Sequence, residues 1–246
     1  MSKDSKLFID AYTKLEKLLK SESGAKYHES FYTLIDKSSN RVIRHYEKTL
    51  KSLSDLRNAI VHSHIDNGDP IAVPHTRTIE LLNHIYNEAT KPKTVYDLFK
   101  KTVQGVTIDN SLKDLLIKIN ESSFSQFPVY DDNNRIFEIV NTNTIARWLS
   151  ANLDDSGSLL LIETKVKDLM PSIEYKNNYK FINRDATIYH VYDMFIDSIN
   201  NNRRNLDAIF ITHNGLESEA ILGLITIDDF AHKIDATFKI NRNRSF

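Results

Sequence analysis

The residues best suited to chemistry lie near the end of the chain, in Ala220-Ile221-Leu222-Gly223-Leu224-Ile225-Thr226-Ile227-Asp228-Asp229-Phe230. Ile221 to Ile225 is a short, nearly continuous apolar run of the kind that forms a strand buried on both faces. Thr226 ends it. Asp228 and Asp229 then open a helical segment, Phe230-Ala231-His232-Lys233-Ile234, with acids in the first turn, where the helix dipole favours them. A hydroxyl beside exposed helix-start amides suits a phosphate, and a carboxylate three residues later can accept both hydroxyls of a ribose. The same two residues, Thr226 and Asp229, also fit a plain capping pair.

A second group is Arg57, Asn58 and His62, within Leu56-Arg57-Asn58-Ala59-Ile60-Val61-His62. At about 100° per helical residue, Asn58 and His62 stack one turn apart and Arg57 flanks them, while Leu53, Leu56 and Ile60 point the other way. The trio therefore faces solvent, a neighbouring helix or a second chain. Arg, a polar residue, then His five positions after the Arg resembles the HEPN superfamily of small helical domains, whose active members are metal-independent ribonucleases working as dimers. That resemblance implies that Arg57 holds a phosphate through its guanidinium fork and that His62 acts as general acid or base. Asn58 would orient the histidine. A structural reading stays open beside it, with Arg57 and Asn58 satisfying backbone carbonyls and His62 packing at a dimer interface. His64, His75 and His84 lack metal-ligand spacing, so no metal is expected.

The elements that must position these groups are bounded by composition. The chain has 246 residues, room for two or three small domains. Its 26% charged and 41% hydrophobic residues are those of a globular protein. A formal net charge of −1 gives no global pull toward nucleic acid or membrane. The absence of cysteine excludes disulfides, zinc–thiolate sites, iron–sulfur clusters and thiol catalysis. The amino-terminal residues lack the apolar core of a signal peptide, and no run approaches the roughly 20 apolar residues of a membrane span. The expectation is a cytoplasmic protein. With six glycines, neither a GxGxxG nor a GxxxxGK[ST] loop is present.

Residues 1–92 read as a helical bundle. Leu7, Phe8, Ala11, Leu15, Leu18 and Leu19 mark a first helix, and Tyr27, Phe31, Leu34 and Ile35 a shorter second. One apolar stripe from Val42 through Tyr46, Leu50, Leu53, Leu56 and Ile60 predicts a third helix. Asn67-Gly68-Asp69-Pro70 ends it, and Ile79, Leu82, Ile85, Tyr86 and Ala89 predict a fourth.

Residues 93–237 read as one unit written twice, 93–154 and 155–237, before a basic, polar tail over 238–246. Val95-Tyr96-Asp97-Leu98-Phe99 is echoed by Val166-Lys167-Asp168-Leu169-Met170. The first copy predicts strands at Gly105–Ile108, Phe127–Tyr130 and Arg135–Val140, with helices from Leu112 and around Trp148 and a Ser111/Asp114 capping box. The second predicts strands at Tyr179–Asn183, Asp207–Thr212 and Ile221–Ile225, with Asp185 as N-cap of the intervening helix. Asp154-Asp155-Ser156-Gly157-Ser158 reads as a solvated linker.

A tandem β-α-β-β-α unit with Gln126-Phe127-Pro128-Val129 and Gly223-Leu224-Ile225-Thr226-Ile227-Asp228-Asp229 resembles a pair of CBS domains. The fold class expected is thus α+β, a helical bundle followed by a tandem CBS pair. The resemblance implies two copies packed sheet to sheet, often dimerised again, with an adenine-containing ligand such as AMP, ADP, ATP, S-adenosylmethionine or a cyclic dinucleotide in a cleft. Carried over, Asp229 would bind ribose hydroxyls, Thr226 the phosphate or ribose edge, and Ile182 and Asn183 the base. The first copy departs from the pattern, with Glu138 for the Gly, Asn141 for the Thr and Thr144 for the Asp. One competent site is therefore expected. Together these imply a regulatory homodimer whose CBS pair senses a nucleotide and signals through the HEPN-like domain. The alternatives are a nucleotide-regulated ribonuclease with RNA as partner, and a dimerisation module with no ligand.

Overall fold

In the computed structural model of the chain, which describes residues 1–24, 29–65, 68–122, 124–153 and 163–238, the apolar stripes become helices in a first unit, Met1–Lys93, and the duplicated pattern becomes a second, Thr94–Thr237. Tyr27, Asn67, the Asp154–Ser158 linker and residues 239–246 of the tail lie outside the described residues.

In the first unit Ser2 starts α1 (Lys3–Ser23) by accepting the Ser5 amide, and Ser30 starts α2 (Phe31–Lys37) by accepting that of Thr33. The expected third helix is two: α3 (Arg41–His45) and α4 (Glu47–His62) meet at Tyr46, whose φ of −95° and ψ of 11° leave the helical region. Tyr46 is buried, edge-on to His84. One apolar stripe serves both pieces, so spacing alone does not betray the break. α5 (Thr76–Thr90) and α1 pack together, and α1 also packs on α2 and α4. Across the last contact Tyr12 and Ser54 share a buried hydroxyl–hydroxyl bond of 3.0 Å. Burial pushes the Tyr12 phenol up to about 12.

The second unit repeats one order of elements. The first copy is α6 (Val95–Phe99), β1 (Val106–Thr107), α7 (Leu112–Ser122), β2 (Gln126–Tyr130), β3 (Ile136–Asn141) and α8 (Thr142–Asn152). The second is α9 (Val166–Leu169), a 3-10 turn, β4 (Tyr179–Asn183), α10 (Ile188–Asn202), β5 (Ala208–Thr212), β6 (Gly223–Ile225) and α11 (Ile227–Phe238). Each copy forms a three-stranded sheet with its first strand parallel to the second and its second antiparallel to the third. The closing strand is shorter than its apolar run: Ile221 packs on the core before the strand begins. Asp185 is not the N-cap of α10. Thr187 holds that place two residues further on, and the Asp185 amide bonds to Asn183 Oδ1 at 2.7 Å in a local turn that precedes the helix.

The copies exchange their leading segments. Val95 and Tyr96 donate their amides to the Ala186 and Arg184 carbonyls at 2.7 and 3.2 Å, and Val166 and Lys167 donate theirs to Asn110 and Ile108, both at 2.9 Å. Val166 and Leu169 accordingly sit in the core of the first copy with Leu115, Phe127, Val129 and Trp148. The two sheets face each other across Ile136, Ile139, Ala208, Phe210 and Leu224.

At Gly223 an added Cβ would lie 2.7 Å from the Phe99 carbonyl oxygen, where only backbone movement gives room. Gly223→Ala is expected to cost about 1–3 kcal/mol, read as a lower urea midpoint with unchanged slope.

Candidate functional site

Asp229 stands in the first turn of α11, directly after the closing strand of the second copy. Its Oδ2 accepts the Thr226 amide and the Thr226 hydroxyl, both at 3.0 Å, and the Asp229 amide donates to Thr226 Oγ1 at 3.2 Å. Thr226 and Asp229 are thus a reciprocal cap, which orients the carboxylate as well as starting the helix. The carboxylate also pairs with Lys101, whose Nζ lies 3.1 Å from Oδ2 and 3.2 Å from Oδ1. Burial works against ionisation here, but the Thr226 amide and the Lys101 ammonium outweigh it and hold Asp229 below the usual carboxylate range.

The carboxylate is at the wall of a cavity of about 170 Å³, lined by Lys101, Val103, Phe124, Gln126, Leu224 and Thr226 among others. A broader hollow of about 680 Å³ shares Lys101, Thr102 and Val103 with it and adds Tyr96, Lys100, Tyr130 and Ile221. The cavity alone is below the roughly 300–1,000 Å³ usual for a small-molecule pocket. The Lys101 side chain occupies part of the space, its Nζ 5.7 Å from the centroid of the exposed Phe124 ring. Neither Lys101 nor Phe124 was singled out from the sequence. The available signal was their position, each just before a strand of the first copy.

At the corresponding place in the first copy the side chains are engaged in hydrogen bonds, several of them to the second copy. Glu138, buried where the second copy has Gly223, accepts the Asn177 amide at 3.0 Å and its own neighbour's, Ile139, at 3.0 Å. Asn141 caps α8 by accepting the Thr144 amide at 2.9 Å, and its Nδ2 donates to Asp207 at 3.2 Å. Asp207 also takes Asn178 Nδ2 at 3.0 Å; burial raises its carboxyl despite those two amide donors. Thr144 replaces the carboxylate that the second copy presents.

Ile182 and Asn183 lie apart from the Asp229 cavity. Ile182 is a buried residue of β4, and Asn183 ends that strand, its backbone approached by Gly215 at the β5–β6 turn. In the helical unit the expected trio does come together on the outer face of α4. Arg57 Nη1 is 3.0 Å from His62 Nε2 and 3.3 Å from Asn58 Oδ1, with Asn58 and His62 exposed and Leu53 and Ile60 buried. A guanidinium has no acceptor, so in this contact Arg57 donates and Nε2 accepts. Among the described residues no cluster suits a metal ion, and no helix is long and apolar enough to cross a membrane.

Residues 95–151 match the family model of the CBS domain. That match covers the first copy from its leading helix through most of α8. No curated protein matches the chain. Similar solved structures include the CBS domain pair of protein MJ0100 in complex with 5-methylthioadenosine and S-adenosyl-L-methionine, 14% identical over 59% of this chain and 98% of that one, TM-score 0.43. CBSX2 in complex with AMP is 17% identical over 61% of this chain and 99% of its own, TM-score 0.41. A hemolysin-like protein containing a CBS domain, from Oenococcus oeni, is 19% identical over 57% and 89%, TM-score 0.40.

Because its folded-state value is depressed, the Asp229 carboxylate stabilises the fold fully above about pH 4. That contribution is lost as pH falls through the lower folded-state value. Asp229→Asn keeps a cap acceptor but not the charge. It is expected to be less stable than the parent by roughly 1 kcal/mol or less at neutral pH, with the gap vanishing in acid, as read by urea denaturation across pH.

Proposed function

We propose that Thr94–Thr237 is a tandem CBS pair that binds an adenine nucleotide in the cleft beside Asp229 and reports occupancy to the helical unit within a homodimer. The observation that carries this is the Asp229 carboxylate, oriented by Thr226 at the wall of a cavity, whereas the equivalent position in the first copy is Thr144, with no carboxylate. Solved structures of similar fold hold AMP in one case and S-adenosyl-L-methionine with 5-methylthioadenosine in another. Asp229 takes the ribose hydroxyls, Thr226 the phosphate or ribose edge, and Val103, Phe124 and Leu224 offer the base apolar surface. Ile182 and Asn183, on β4, are outside the lining of that cavity and do not contact the base in this reading. Occupancy acts by population shift: a ligand favours one arrangement only by its differential affinity for it.

Calorimetry with AMP, ATP and cyclic di-AMP is expected to show binding that Asp229→Ala removes while the fold survives. No heat with any of the three sinks the sensor reading and leaves a ligand-free assembly module.

A second reading is favoured by the exposed contact between Arg57 and His62. In it the helical unit is a metal-independent ribonuclease, with Arg57 on the scissile phosphate, His62 as acid or base and Asn58 orienting it. Arg57→Ala and His62→Ala are each expected to abolish RNA cleavage in the presence of chelator, at a cost within about 0.5 kcal/mol of stability, as for exposed sites. Cleavage that persists in both variants rules this reading out.

A further inference from the structure

We infer that Lys101 makes the Asp229 cleft selective for phosphorylated nucleosides by exchanging its carboxylate partner for the ligand's phosphate. The inference rests on the nucleotide reading of that cleft and adds the class of ligand it accepts.

Without ligand both oxygens of the Asp229 carboxylate are engaged. Oδ2 already holds the Thr226 amide and hydroxyl, and the Lys101 ammonium bridges both oxygens at 3.1 and 3.2 Å. Of the roughly four lone-pair sites of a carboxylate, the Thr226 pair and the bridging ammonium leave one on Oδ1, so two ribose hydroxyls are accepted together only once Lys101 yields. The Thr226 bonds are backbone-anchored and start α11, so the ammonium, on a flexible four-carbon stem, is the partner that yields. It is then released inside a half-buried cleft, and an ammonium there without a counter-anion is costly. Asp228 is the one other carboxylate lining the cavity, and it is exposed, where an ion pair contributes little.

A neutral nucleoside therefore breaks one ion pair and forms none. S-adenosylmethionine, a net cation, has a sulfonium on the 5′ carbon of its ribose where a nucleotide has phosphate, which sets a second positive charge beside the freed one. A phosphorylated nucleoside brings its own anion on the 5′ side of the ribose, within the same cleft, and forms a charge-assisted bond to Lys101 while Asp229 grips the sugar. The exchange conserves the number of ion pairs.

The surroundings suit this exchange. Lys101 already lies 5.7 Å from the exposed Phe124 ring, a face on which a purine can stack once the ammonium moves. The neighbouring hollow of about 680 Å³ opens from the same Lys101–Val103 segment and is also lined by Lys100. The Lys100 ammonium rests over the Tyr96 ring at 5.1 Å and has no carboxylate partner among the described residues. Longer phosphate chains would extend toward it.

The test is calorimetry on the full chain with AMP, adenosine and S-adenosylmethionine, for the parent, Lys101→Met, Lys101→Arg and Asp229→Asn, each checked for a cooperative melting transition well above the assay temperature. The parent is expected to prefer AMP over adenosine by roughly tenfold or more. Lys101→Met, which keeps the apolar stem, is expected to bring AMP down to the level of adenosine and to leave adenosine unchanged or tighter, since Asp229 is no longer masked. Lys101→Arg should keep the preference. If Asp229→Asn abolishes binding of AMP but Lys101→Met leaves the AMP preference intact, or weakens AMP and adenosine equally, the Lys101 inference is overturned and the nucleotide site stands. If neither AMP nor adenosine binds the parent, or Asp229→Asn leaves AMP affinity untouched, the site reading fails and the inference with it.

Discussion

The first amides of a helix have no acceptor within it, and in the Thr94–Thr237 unit four of these orphan donors decide the architecture. Val95 and Tyr96, opening α6, reach the carbonyls of Ala186 and Arg184; Val166 and Lys167, opening α9, reach those of Asn110 and Ile108. Each pair joins the start of one copy to the strand–helix turn of the other. Leaving a buried donor unmatched costs about 1–3 kcal/mol, so neither leading helix can settle on its own copy without that penalty. The exchange also buries Val166 and Leu169 in the core around Phe127 and Trp148. The two copies are thereby one folding unit, with cooperativity that neither sheet of three strands would have alone.

That exchange carries the chain from α6 across the closing strand of the other copy, since Lys100 bridges Gly223 and the Phe99 carbonyl lies against it. The constraint explains why the strand must have glycine there: the backbone of the incoming segment leaves no volume for a Cβ. It also delivers Lys101 to the Asp229 carboxylate, a separation of 128 positions along the chain. In the first copy Glu138 stands where that glycine would, and its carboxylate is consumed by the backbone amide of Asn177. Two positions that are equivalent in the duplicated pattern are thus made unequal, Glu138 and Asn141 being tied into hydrogen bonds in the first copy while a cavity lies at Asp229 in the second.

The helical unit follows a different logic. Arg57, Asn58 and His62 are near neighbours on a single helix, so their meeting requires only that α4 form and that Leu53 and Ile60 face inward. The kink at Tyr46 shows the limit of the same reasoning. The apolar stripe is continuous through it, and the departure from helical dihedrals accompanies burial of the tyrosine ring beside His84 of α5, a partner that no local period reveals.

Local spacing therefore carried much of this protein in plain view. The helical stripes, the duplicated β-α-β-β-α order, the Thr226–Asp229 cap and the grouping of the α4 trio all depend on residues within a few positions of each other, where 3.6- and 2-residue periods and capping chemistry decide. The departures at Glu138, Asn141 and Thr144 were legible too, as residue types unable to do what their counterparts do. Tertiary structure alone decided which copy each leading helix joins, that Ile182 and Asn183 are not among the residues lining the cavity at Asp229, and that a lysine and a phenylalanine of the first copy are. The reason is physical: an orphan amide or an unpaired ammonium specifies that it needs a partner, and only the folded chain, bringing distant segments within 3 Å or so of each other, specifies which partner it gets.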